Sequence, residues 1–227
     1  MTNVGYQIVT SIPRPDQALV ERFRGISTTV IGDAMQRTAA LPSRIRACND
    51  VPLLGTAYTV RVPEGDNVML YYALDNAEPG DVIVVAGGGF TERALCGEIM
   101  VRFAASRGIA GLVVDGAIRD AAELRDLDIP VHAVASSPNG PYKNGPGTVN
   151  EPVSLGSRVV HPGDLIVGDA TGVVSIPVSE AEAVADECEA IVKKEEAMLD
   201  RIARNEGMDL AWMYAKIEDA DVVTKDA

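Results

Sequence analysis

The sequence predicts an α/β protein built around a parallel sheet. Three observations carry that expectation. Short buried-type runs rich in β-branched residues recur, at Val82-Ile-Val-Val85, Gly111-Leu-Val-Val114 and Pro130 to Val134. Stretches of helical length and periodicity lie between them, and turn-forming clusters such as Glu78-Pro-Gly-Asp81 separate the two kinds of segment. Strands alternating with helices pair in parallel through right-handed crossovers, because a twisted strand feeding a helix packs back onto its sheet only that way.

In chain order, two amphipathic helices are expected first, Pro15 to Arg24 and Ser27 to Arg37, with Ser27 as N-cap of the second. They form an N-terminal arm over about 15–40. Leu41 to Leu54 is irregular, and Ala57 to Val62 alternates like a strand. The turn Pro63-Glu-Gly-Asp-Asn67 introduces a helix over Val68 to Asn76. After the strand at Val82 to Val85, Gly87-Gly-Gly89 leads to a helix from about Thr91 to Ser106. The strand from Gly111 to Asp115 hands over to a short helix near Arg119, and a strand at Pro130 to Val134 follows. Between Ser136 and Pro177 glycine and proline recur around short apolar runs, Arg158-Val-Val and Asp164-Leu-Ile-Val, which predicts further strands in a second sheet or layer. Ser179 to Asn205 is one long Ala/Glu-rich helix, with Ser179 as candidate N-cap, and helix resumes over Met208 to Asp219 after Gly207. A single domain over residues 1–227 is the expected organisation, with a C-terminal helical arm at about 179–219 of the kind that packs on a neighbouring subunit.

Composition excludes several functions. With 33 acidic and 20 basic residues the net charge is -13, and the cations are dispersed, so no nucleic-acid partner is expected. No apolar run approaches the roughly 18 residues that span a bilayer, and Met1 to Gln7 lacks the pattern of a secretory leader. An unexported cytoplasmic protein without membrane contact is therefore expected. Three separated cysteines, Cys48, Cys96 and Cys188, suit a reducing compartment. Only two histidines occur, His132 in an apolar run and His161 before Pro-Gly, and both read as structural. Any metal should be held by oxygen.

The chemistry-bearing residues gather around Asp115-Gly-Ala-Ile-Arg-Asp-Ala-Ala-Glu123. Arg119-Asp120 stands where a strand gives way to a helix, which places a guanidinium, a carboxylate and helix N-terminal amides together. Glu98 and Arg119 are separated by one helix and one strand, so Glu98 and Asp120 return to the same end of the sheet. Asp120 and Glu123 share a helix face, giving up to three carboxylates around a magnesium or manganese ion that keeps several waters. The plainer alternative is an Arg119–Glu123 ion pair at i,i+4, worth about 0.2–0.5 kcal/mol. Gly87 to Glu98 matches neither the dinucleotide nor the P-loop spacing. Lys143 raises an imine alternative, but it sits in a turn, Lys143-Asn-Gly-Pro-Gly, rather than in an apolar pocket.

Pro63-Glu-Gly-Asp-Asn67, Cys96-Gly-Glu98, Val114-Asp-Gly-Ala-Ile-Arg-Asp120, Lys143 to Pro152, Pro162-Gly-Asp164 and Gly168 to Val174 occur in an order and spacing that resemble one family. It contains 4-hydroxy-4-methyl-2-oxoglutarate aldolase and the RraA-type regulators of ribonuclease E activity. The resemblance implies a layered β/β/α fold of the swivelling-domain type, a homotrimer or homohexamer, and active sites between subunits. It implies that Asp120 holds the metal directly, with Glu98, Glu123 and a neighbouring subunit's Glu195 linked through water, Glu196 being the alternative in register. Arg119 would contact the pyruvyl substrate, with Gly97, the Ile99 and Met100 amides and Asn67 around it. The implied activity is metal-dependent (class II) cleavage of a 4-hydroxy-2-oxo acid to pyruvate and a second oxo acid through an enolate, with Arg119, Glu98 and Glu195 as catalytic residues and oxaloacetate decarboxylation as a companion reaction. The competing implication is a regulator that binds a ribonuclease or another protein without catalysis. Regulators of this type typically lack the C-terminal helical extension, which this chain carries.

Overall fold

The computed structural model describes residues 3–220, 222, 223 and 225. Its central strands are β3 (Leu53–Arg61), β4 (Asp81–Cys96), β5 (Gly111–Ile118) and β6 (Val131–Ser136), adjacent in that order and parallel. Three helices supply the crossovers: α3 (Val68–Asn76), α4 (Glu98–Ser106) and α5 (Ala121–Arg125). The period-two alternation of strand side chains divides the core in two. Ile83, Val85, Leu112 and Val114 point to one face and pack with Leu70 and Leu74 of α3, Val101 and Ala104 of α4 and Leu124 of α5. Val82, Val84, Ala86 and Val113 point to the other.

That second face is covered by strands. β8 (Val153–Leu155) and β9 (Arg158–Val160) form a separate two-stranded sheet, and Val153, Leu155 and Val160 join the second core. β10 (Leu165–Asp169) and β11 (Gly172–Ile176) contribute Ile166 and Val173 to it. The layering is therefore helices, sheet, strands. In one respect it departs from expectation: β10 hydrogen-bonds antiparallel to Leu53–Thr56 of β3, so the β10–β11 pair belongs to the main sheet and only β8–β9 stands apart.

A second correction concerns Thr91 to Cys96, expected as helix. These residues are the end of β4, paired to β5 through Phe90–Gly116, Ala94–Ala117 and Cys96–Ile118 with register shifts between them. Bulges break the alternation that marks a strand, and the surviving apolar spacing imitates a helix. Gly88 and Gly89, both at φ 71, take the left-handed turn that opens this irregular stretch. Helix begins only at Glu98.

The remaining strands are short: β1 (Tyr6–Ile8) on β7 (Gly147–Val149), which is also antiparallel to β3, and β2 (Arg46–Ala47) on β6. The N-terminal helices are α1 (Gln17–Glu21), capped by Asp16, and α2 (Thr28–Ala34), where Val30 N–H donates to Ser27 Oγ at 3.3 Å. Two compact units divide between Cys188 and Glu189. α6 (Ala181–Ala203) crosses that division in sequence, and α7 (Ala211–Asp219) belongs to the second unit, where Leu199, Ile202, Trp212 and Tyr214 are exposed. No helix among the described residues is long and apolar enough to cross a membrane.

Candidate active site

The carboxyl ends of β4 and β5 lie side by side, and Arg119 N–H donates to Cys96 C=O at 3.0 Å just beyond the paired residues. The chain leaves these strands into α4 after Gly97 and into α5 after Asp120. Two helix N-termini thus open at one end of the sheet, where free amides favour negative charge.

Asp120 adopts φ 57, ψ 42, in the left-handed region. That conformation costs a non-glycine residue roughly 1–2 kcal/mol, and aspartate is one of the few side chains that tolerate it. It turns the carboxylate away from its own helix. α5 has no side-chain cap, while Glu98 N–H of α4 donates to Asp120 Oδ2 at 3.0 Å. Arg119 Nε stands 3.6 Å from the same oxygen. A side chain at Gly97 would collide with this carboxylate and with the Arg119 stem, so the close approach requires glycine.

Glu98 and Glu123 do not join Asp120 in a cage. Glu98 Oε1 accepts from Arg102 Nε at 2.7 Å, one turn along α4, and Glu123 is exposed on α5. Among the described residues no three His, Cys, Asp or Glu side chains form a metal-holding group. The alternative Arg119–Glu123 pair is not formed either: Arg119 precedes α5, so the helical i,i+4 geometry does not apply, and its guanidinium meets Asp120. Glu195 and Glu196 are exposed on α6 in the second unit.

Beside Arg119 is a cleft of about 260 Å³ whose walls include Asn67, Tyr71, Gly97, Ile99, Met100 and Lys143. Not all the expected amides are available to it. Glu98 N–H is taken by Asp120, and Met100 N–H is shared with Val101 N–H on Gly97 C=O at 3.1 Å, a tight bond usual at helix starts. Ile99 N–H is the one left for a ligand. Asn67 is 1% exposed, its Nδ2 donates to Leu95 C=O at 2.8 Å, and its Oδ1 is buried without a partner.

Burial first, then the charges of Cys48 and Asp120, push the Cys96 thiol up to about 12, so it stays neutral and is no nucleophile. His132 is fully buried, with Nε2 3.2 Å from Asp169 C=O, and desolvation lowers its pKa; neither it nor the exposed His161 lines this cleft. Asp120 lines a neighbouring hollow with Arg119, Ser136 and Ser137, where the side-chain donors other than Arg119 are oxygens, the kind a hard divalent cation takes. Sequence reasoning treated Lys143 only as an imine former and did not single out Tyr71. It also missed Asp66, a buried carboxylate that organises the far wall.

Residues 28–175, from α2 to β11, match the model of the RraA-like family, described as Aldolase/RraA. The chain belongs to the RraA-like family. The matched segment holds Glu98, Arg119, Asp120 and Lys143 and ends before the two C-terminal helices, α6 and α7. A Halalkalibacterium halodurans protein provisionally named 4-hydroxy-4-methyl-2-oxoglutarate aldolase is 39% identical over 187 residues, 82% of this chain and 89% of its own. Among solved structures, the RNA-processing inhibitor RraA of Thermus thermophilis aligns at TM-score 0.62 and 33% identity, over 66% of this chain and 92% of its own. Streptomyces coelicolor RraAS2, an unusual member of the RNase ES inhibitor RraA family, aligns at TM-score 0.72 and 30% identity, over 83% of this chain and all of its own. This RraA-like chain thus has relatives named for catalysis and relatives named for regulation.

Proposed function

We propose that the protein is a divalent-metal-dependent pyruvate aldolase that cleaves a 4-hydroxy-2-oxo acid, such as 4-hydroxy-4-methyl-2-oxoglutarate, to pyruvate and a second oxo acid. The observation supporting this reading is the position of Arg119, which lines the cleft that Ile99 also lines and, together with Asp120, a second hollow, its Nε 3.6 Å from the Asp120 carboxylate. Asp120 would hold magnesium or manganese directly, and Glu98, Glu123 and a neighbouring copy's Glu195 would act through water. Such a cation, when bound, polarises the substrate keto group as a Lewis acid.

Arg119 grips the oxo-acid end with its guanidinium fork, and Ile99 N–H takes a carboxylate oxygen. Loss of the 4-hydroxyl proton to a water held by Glu98 or Glu195 breaks the C3–C4 bond. The bonding pair moves towards C2 and forms the pyruvate enolate. Arg119 meets the growing negative charge, a contribution of about 3 kcal/mol for one preorganised donor. Protonation at C3 from water beside Arg119 releases pyruvate. The same enolate forms when oxaloacetate loses carbon dioxide, so decarboxylation needs no further residue. Lys143 is exposed on a turn over the Tyr71 ring, a setting that does not favour an imine. The reading places a homotrimer or homohexamer in the cytoplasm, with sites completed between subunits.

The two inhibitor-type neighbours favour a second reading, a regulator that docks a ribonuclease or another protein. Pyruvate release from 4-hydroxy-4-methyl-2-oxoglutarate and from oxaloacetate, measured with magnesium and then with EDTA, separates the two. Turnover with magnesium that EDTA abolishes supports the aldolase. Absence of turnover on both substrates transfers the weight to the regulator.

A further inference from the structure

The bulged end of β4 carries an arginine to which the proposed reaction gives no task. Thr91, Glu92 and Arg93 fall between the Phe90–Gly116 and Ala94–Ala117 pairings, so they loop out of register with β5. A bulge of this kind re-aims side chains. Arg93 meets the segment that follows β6: its Nη1 donates to Gly140 C=O at 3.0 Å, and its guanidinium carbon lies 4.2 Å from the centroid of the Tyr142 ring. A flat cation can stack on a ring and donate in its own plane at once. The stem is enclosed as well, since a Cβ at Gly65, which has φ 68, would stand 3.0 Å from Arg93 Cδ.

The segment that Arg93 holds is a wall of the cleft. Gly140 and Pro141 line it together with Arg119, and a Cβ at Gly140 would stand 3.4 Å from Arg119 Nη1. Both flanks of the segment have anchors of their own. Before Gly140, Ser137 Oγ and Asn139 Nδ2 donate to Glu92 C=O, at 3.1 and 3.0 Å, and Ala94 N–H donates to Asn139 C=O at 2.9 Å. After Pro141, Tyr142 N–H donates to Gly65 C=O at 2.7 Å, and Asn144 N–H and Gly145 N–H donate to Asp66 Oδ2, at 2.6 and 3.0 Å. At Gly140 and Pro141 themselves, the bond from Arg93 is the one hydrogen bond among the described residues. The Arg119 side chain is 44% exposed, and its 3.6 Å separation from Asp120 is too long for a hydrogen bond, so packing must hold its guanidinium in place.

We propose that Arg93 is a positioning residue: through Gly140 it fixes the wall against which the Arg119 guanidinium rests, and so sets the aim of that group in the cleft. The inference rests on the proposed aldolase reading only for what Arg119 does to substrate; the coupling of Arg93 to Arg119 stands apart from it. Arg93 touches no reacting atom. Its removal leaves Arg119 and Lys143 in the cleft and frees the wall to shift, and a misplacement of about 1 Å can cost up to about a hundredfold in rate.

Two measurements on the full chain test this. NMR relaxation of the Arg119 Nε–H group, its resonance assigned by its absence in Arg119→Lys, should show an ordered side chain in the parent and a mobile one in Arg93→Met. Arg93→Lys restores a donor without the flat stack and should recover part of that order. Tyr142→Leu keeps the Gly140 bond and removes the ring, with a smaller loss of order, so the test does not depend on one variant folding. In magnesium-dependent pyruvate release, Arg93→Met should lower kcat about tenfold while KM changes less than about threefold. In an Arg119→Lys background the same substitution should change kcat less than about twofold, because no guanidinium is left to aim. An Arg119 Nε–H that is mobile in the parent or equally ordered in Arg93→Met, an unchanged kcat, or an equal loss in both backgrounds would overturn the proposal. Order that is lost as expected in a protein that releases no pyruvate contradicts the aldolase reading alone.

Discussion

Asp115 and Asp120 lie on the same strand-to-helix segment and meet arginine in opposite ways. Asp115, 1% exposed within β5, receives both Nε and Nη2 of Arg44 on Oδ1, at 3.1 and 2.8 Å. Asp120, at the strand exit, has a side chain 36% exposed and stands 3.6 Å from Arg119 Nε. The first carboxylate is desolvated and its charge is met within the chain. The second takes one backbone amide and keeps room for a ligand. An arginine–aspartate contact therefore does not by itself mark a site; what matters is whether tertiary packing closes the pair or leaves it open.

The largest effect expected from this contrast is on catalysis at Asp120. Asp120→Asn keeps the size of the side chain and removes the charge, so magnesium-dependent pyruvate release should fall at least about a hundredfold. Its melting temperature should stay near that of the parent; retained activity would put Asp120 in the same class as Asp115. The converse substitution, Asp115→Asn, should act on stability, by about 2 kcal/mol in urea denaturation. That lies below the usual cost of breaking a buried pair because Arg44, 42% exposed, can be rehydrated. A loss of stability as large in Asp120→Asn as in Asp115→Asn would erase the distinction.

Smaller changes sharpen it. Arg119→Lys retains a cation without the planar fork and should lower kcat/KM about tenfold while magnesium affinity, measured by titration, holds. Arg102→Ala frees the Glu98 carboxylate from an exposed pair, with a stability change within about 0.5 kcal/mol. Any change in pyruvate release in that variant would report on the water that Glu98 is proposed to hold.

Part of the fold was legible because local periodicity encodes it. Val82 to Val85 and Gly111 to Val114 are buried runs of strand length, and Val68 to Asn76 is bounded by a turn and a Pro-Gly, so each appears as read. β4 beyond Gly87 was not legible, since its bulges remove the alternation. β1 and β7 are three residues each and owe their existence to a partner about 140 residues away, as in the Tyr6–Gly147 pairing. At the site, Arg119-Asp120 could be placed at a strand exit from sequence, whereas the left-handed turn that aims Asp120 at α4 could not.

The sequence by itself determined the strands around Val82–Val85 and Gly111–Val114, the helix over Val68–Asn76, and the presence of an arginine and a carboxylate at the end of β5. These follow from side-chain spacing and strand-to-helix order, which are local properties. Tertiary structure alone decided that Asp120 caps the helix beginning 22 residues earlier, that Met100 N–H is already spent while Ile99 N–H is free, and that Lys143 stands over Tyr71. Each of these depends on strand register and loop anchoring across distant segments, and no local pattern of residues specifies where such segments meet.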